Sequence, residues 1–63
     1  MRFGRVTNIN TLVNKGIILD ENQQEIEFHL SQLADKVKIF SLVSFEIDLT
    51  SEGLVVIDLK PVI

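Results

Sequence analysis

Four carboxylates crowd one short stretch of this chain, Asp20, Glu21, Glu25 and Glu27, and no lysine or arginine stands between Lys15 and Lys36. Acid–base catalysis by a carboxylate pair needs at least one of them drawn out of water. Glu25 and Glu27, at i and i+2 of a strand, would both point to solvent, so the segment reads as a solvated acidic face. His29 is the one histidine and there is no cysteine, which leaves a transition-metal centre or a thiolate nucleophile without its companions. No serine stands within obvious reach of His29 as a nucleophile. Gly4, Gly16 and Gly53 match neither the G-x-G-x-x-G nor the G-x-x-x-x-G-K spacing, so nucleotide binding through a glycine-rich phosphate loop is excluded. Lys36 and Lys38 alternate and read as a solvated edge that discourages sheet pairing. The four phenylalanines would stack on bases only if they faced solvent. Phe28 and Phe45 run in phase with isoleucine and valine neighbours and are expected in the core.

The elements that must position these residues are predicted to be strands. Eight Ile, seven Val, three Thr and four Phe stand against a single Ala, a composition that favours pleated surfaces over helices. Turn-forming clusters at 8–14, 20–24, 31–38 and 50–53 divide the chain into five strands over 2–9, 16–20, 25–30, 42–49 and 54–59. Val43, Phe45, Ile47 and Leu49 alternate with Ser44, Glu46 and Asp48, the period of a strand with one wet face. The next strand follows across Thr50-Ser51-Glu52-Gly53 as a hairpin, with Gly53 available for a positive φ, and Pro61 is expected to end the ladder. Residues 25–40 admit two readings. Ile26, Phe28 and Leu30 alternate as a strand does, yet Ile26, Leu30, Leu33, Val37 and Phe40 also share a helical stripe, and a helix over 22–40 would make a ββαββ domain. Periodicity alone does not choose.

At 63 residues and 7.1 kDa the chain is a single domain over 1–63 with one thin core. It is too small for the roomy cleft of most enzymes, so no catalytic residue and no cofactor is expected. The longest apolar run has four residues, Leu54 to Ile57, against the roughly 20 that a membrane-spanning helix needs. The first residues, Met1-Arg2-Phe3-Gly4-Arg5, lack the apolar stretch of a signal peptide. A soluble, cytoplasmic protein is therefore expected. Six basic against nine acidic residues, net −3, argue against coating nucleic acid by bulk attraction but leave room for a local basic patch.

Gly4-Arg5-Val6-Thr7-Asn8-Ile9-Asn10, Lys15-Gly16-Ile17-Ile18, Ile26-Glu27-Phe28-His29-Leu30-Ser31-Gln32-Leu33 and Val43-Ser44-Phe45-Glu46-Ile47 follow one another along the chain. In that order they resemble the bacterial cold-shock proteins, with their G-x-V-K-W-F-N, K-G-F-G-F-I, V-F-V-H-F-S and V-S-F-E motifs. The segment from Gly53 to Pro61 fits as well, so the resemblance spans nearly the whole chain. It implies an all-β, five-stranded OB-type barrel with a short helical turn near 31–36. It also makes 25–30 a strand, and it implies a core of Val6, Ile18, Ile26, Phe28, Leu33, Val43, Phe45 and Leu59.

The resemblance further implies binding of single-stranded RNA or DNA, whose bases stack on aromatic side chains beside lysines that meet the phosphates. The residues implied for that surface are Arg5, Asn8, Lys15, Ile17, Glu27, His29 and Leu30, and most depart from the pattern. Asn8 stands for the family's tryptophan and Ile9 for the phenylalanine after it. Lys15 and Ile17 replace aromatics of strand two, and Glu27 and Leu30 those of strand three. His29 alone keeps a ring. The family's lysines are Thr7 and Val13 here, and Phe40 stands where glycine is usual. Each stacked base contributes about 1–3 kcal/mol, so weak binding is expected. The alternative is a protein contact or a homodimer through a patch of Ile9, Ile17 and Leu30.

Overall fold

The computed structural model describes residues 1–32 and 37–62. Five strands, β1 (Arg2–Asn10), β2 (Lys15–Asp20), β3 (Glu25–His29), β4 (Leu42–Thr50) and β5 (Gly53–Pro61), form one antiparallel sheet in the order β3-β2-β1-β4-β5. The predicted strands agree within two residues at every end. The helical reading of 22–40 is overturned: β3 pairs with β2 from Lys15 opposite His29 to Leu19 opposite Glu25. A 3₁₀ turn over Leu30–Gln32 overlaps the start of the helical turn expected at 31–36, and residues 33–36 lie outside the described residues. Leu33 and Lys36, assigned to the core and to a charged edge, lie outside the described residues.

All five strands send side chains into one cluster, with Val6, Ile18, Val43, Phe45 and Val56 at 1% exposure or less and Phe28, Val37 and Leu59 close behind. With no long helix among the described residues to cover it, a flat sheet would leave that face wet. The sheet instead curls, bringing β3 against β5, but among the described residues no hydrogen-bonded ladder joins these two edges into a closed barrel.

Two bulges decide which residues reach the core. In β1 the register shifts between Val6 and Asn8, so Val6 and Ile9, three apart, both turn inward while Asn8 and Asn10 turn out. The displaced residue, Thr7, donates its hydroxyl to the Ile17 carbonyl at 3.4 Å. In β5 a second shift lies opposite Ser44 to Glu46, and Asp58 takes a φ of 53° there. This lets Val56 and Leu59, also three apart, share the inner face. Val56 was not legible as core because Leu54 to Ile57 is an unbroken apolar run with no alternation.

Pro61 does not end the ladder. It pairs with Val43, and beyond it the Val62 N–H donates to the Leu42 carbonyl at 2.9 Å. Val43 and Pro61 are thus a non-hydrogen-bonded pair, and the missing proline N–H faces away from β4, where β5 has no neighbour. Gly53 has the expected positive φ, 106°.

Phe40 holds a φ of 71° with its side chain 69% exposed. Its N–H donates to the Val6 carbonyl at 2.6 Å and its carbonyl accepts from Arg5 at 3.0 Å, so the backbone is held in the left-handed region from both sides. A bulky residue is strained there by about 1–2 kcal/mol. Phe40→Gly should therefore raise the urea midpoint by an amount equivalent to about 0.5–1 kcal/mol, the relief of strain outweighing glycine's chain entropy.

Candidate nucleic-acid interface

The outer face of β1, β2 and β3 is built from cross-strand rows. Beyond the β1 bulge, Asn8 lies opposite Ile17, and Ile17 opposite Glu27. The next row is Asn10, Lys15 and His29, and on the other side of the bulge Arg5, Leu19 and Glu25 form a third. Side chains in a row stand about 5 Å apart, a spacing short enough for neighbouring rings to cooperate if rings were present.

Five of the residues implied by the family resemblance, Asn8, Lys15, Ile17, Glu27 and His29, thus meet on two adjacent rows. Arg5 sits one row away, its guanidinium donating to the Phe40 carbonyl. Leu30 does not join the face: it lies in the 3₁₀ turn and packs against the core, as does Ile9. The expected apolar patch of Ile9, Ile17 and Leu30 is therefore split, with only Ile17 outward. The physical cause is the β1 bulge for Ile9 and the end of β3 at His29 for Leu30.

Asn10 joins the face although the first predicted strand stops at residue 9. Its place at i+2 from Asn8 was the available signal, masked by the turn-forming run Thr11-Leu12-Val13-Asn14 that follows. That run forms the turn between β1 and β2, in which Asn10 Oδ1 accepts from the Leu12 N–H at 3.0 Å and Asn14 takes a φ of 57°. A shallow hollow of about 120 Å³ opens beside it, walled by Asn8, Asn10, Val13, Lys15, Ile17 and Glu27.

Electrostatically the face cancels itself. Lys15 Nζ lies 3.2 Å from Glu27 Oε1, with both side chains well exposed. Such a pair contributes only about 0–1 kcal/mol to stability, but it gives the lysine a carboxylate partner where a phosphate would have to bind. Arg5 and Lys15 stand against Glu25 and Glu27, so the face carries no net positive charge with His29 neutral. Among the described residues no three His, Asp or Glu side chains gather into a metal site.

Gly16 explains why β2 can cross the core at this point. A Cβ built there would run into the Phe28 ring, and it would come within 2.9 Å of the Asn8 carbonyl. Only glycine admits this close approach, which fixes Phe28 beneath the face and Lys15 and Ile17 above it.

Comparison with protein-family models and with curated proteins finds no match to this chain.

Proposed function

We propose that this chain is a small, non-catalytic module of OB-type, cold-shock-like architecture that binds single-stranded RNA or DNA weakly. Its strand order and its curled sheet, with β3 turned against β5, support that architecture. The observation that carries the functional reading is the convergence of Asn8, Ile17, Glu27, Lys15 and His29 on one solvent-facing surface. These are positions at which the resemblance places the nucleic-acid contacts. The face retains one cationic side chain and one ring at its centre, and its stacking surface has been replaced by amide, aliphatic and carboxylate groups.

Titration of a labelled single-stranded oligonucleotide at low and high salt tests this reading. Micromolar or weaker binding, lost as salt rises and accompanied by amide shifts at Lys15 and His29, is the expected result. Glu27→Gln should tighten it about two- to fivefold at low salt, because the change leaves Lys15 without its carboxylate partner. Absence of binding in both proteins at low salt would overturn the proposal.

A second reading, protein contact or self-association, is favoured by a different surface. On the outer face where β1 meets β4, Phe3 and Leu42 are exposed at 36% and 37%. Half-buried Leu19 lies across Arg5 from Leu42, and Val62 follows on the far side. Sedimentation equilibrium distinguishes this case, since a concentration-dependent dimer weakened by Phe3→Ser with Leu42→Ser would assign the role to this patch.

A further inference from the structure

The turn that leads into β4 carries a ring that the core does not use. Ser41 N–H donates to the Lys38 carbonyl at 3.0 Å, and Lys38 N–H donates to the Ser41 hydroxyl at 2.9 Å, which closes a turn over Lys38-Ile39-Phe40-Ser41. Phe40 is its third residue, the position at which a positive φ selects glycine. Phenylalanine is strained there, and its ring, the most exposed of the four in the chain, gains little packing in return. The fold by itself therefore does not account for an aromatic residue at this point.

Two cations stand beside it. Arg5 donates to the Phe40 carbonyl through one of its five guanidinium N–H groups, and Lys38, exposed, opens the turn. Among the described residues neither is ion-paired, whereas Lys15 is engaged by Glu27. The sequence holds no Asp or Glu between Asp35 and Glu46. Asp20 and Glu21 also border Arg5, but from the Gly4 end of β1, where Asp20 pairs, while Phe40 bonds Val6 on the other side. The turn adjoins the candidate face as well. Phe40 N–H donates to the Val6 carbonyl and Val6 N–H to the Ser41 carbonyl, on the β1 edge away from β2 and just before the bulge that leads to Asn8.

We propose, on the strength of the nucleic-acid reading above, that Phe40 is a base-stacking platform: one base of a bound single strand lies on its ring, and the adjoining phosphates meet Arg5 and Lys38. The strand then continues past Asn8 onto the row of Asn8, Ile17 and Glu27. Hydrogen bonds to both the N–H and the carbonyl of Phe40 hold its backbone in place before any ligand arrives, so little freedom is lost when a base settles on the ring. Stacking of this kind tolerates any base, since each has a π-face. The ring stands at the border of a face whose own stacking positions carry amide, aliphatic and carboxylate groups, and it supplies what they lack.

Anisotropy of a fluorescein-labelled oligothymidylate of ~8 nucleotides, within the span of one OB-type domain, compares the parent with Phe40→Gly. Glycine suits the turn, so this variant should be at least as stable as the parent in urea and yet bind at least about fivefold more weakly, the loss of one stacked base. Phe40→Trp introduces tryptophan into a chain that has none. Its fluorescence should be quenched as the unlabelled oligonucleotide saturates the protein, with affinity equal to or above the parent's. Unchanged affinity in Phe40→Gly, or an unquenched tryptophan in a Phe40→Trp protein that binds, would overturn the platform and leave the nucleic-acid reading standing. No binding by the parent at low salt would overturn both. Unchanged affinity together with the loss of a concentration-dependent dimer in Phe40→Gly would overturn the platform and assign the ring to a protein contact.

Discussion

Replacing Asn8, Ile17 and Glu27 together by phenylalanine should raise the affinity of this chain for single-stranded oligonucleotide at least tenfold, and by about a hundredfold if two bases stack. The three positions form one cross-strand row, so the new rings would stand side by side on a rigid surface rather than on a loop. Each base stacked on an aromatic contributes about 1–3 kcal/mol, and two at about 1.4 kcal/mol each reach a hundredfold. The Glu27 change adds a second effect, since it removes the carboxylate that now lies 3.2 Å from Lys15. All three side chains point outward, and Asn8 and Glu27 are exposed, so the core is not asked to repack. Fluorescence anisotropy at fixed salt measures the change. A folded triple variant whose affinity equals that of the parent would show that this row is not where nucleic acid lies.

Phe45→Ala should remove at least about a third of the chain's stability. A chain of this length has a total stability of roughly 3–9 kcal/mol, at 0.05–0.15 kcal/mol per residue. Truncating a buried phenylalanine costs about 3–5 kcal/mol. Phe45 is 1% exposed and sits in β4 opposite Arg2 of β1, beside the β5 bulge, so its ring fills the middle of the curl. With no disulfide to hold the strands together, nothing compensates. A fall of at least about 12 °C in the thermal midpoint by far-UV circular dichroism is the expected signature. Phe45→Leu keeps most of the volume and should retain the transition at a lower midpoint. A cooperative Phe45→Ala protein within a few degrees of the parent would mean that the core can collapse around the void.

The two expected results depend on different kinds of information. Strand positions came from composition and turn chemistry, and β4 was the most legible element because its apolar and polar residues alternate without interruption over Val43 to Leu49. The segment holding β3 was open to a helix, since its apolar residues satisfy two periods at once. Pairing with β2 settled it, because a strand there satisfies backbone groups and places Phe28 over Gly16. The candidate face was legible as far as Asn8, Lys15, Ile17, Glu27 and His29. It failed at Ile9, Leu30 and Asn10, where a bulge or a strand end breaks the simple alternation on which face assignment rests.

Short-range chemistry in the chain was enough to dictate an all-β domain, the number and rough limits of its strands, the burial of Phe28 and Phe45, and the acidic character of the middle segment. These follow from side-chain type and spacing, which act within a few residues. Long-range packing alone set the strand order, the two bulges that carry Ile9 and Val56 inward, the pairing of Lys15 with Glu27, and the meeting of the β3 and β5 edges without a ladder. Each joins residues far apart in the chain or depends on how the curled sheet fills its own interior, and no local pattern encodes that.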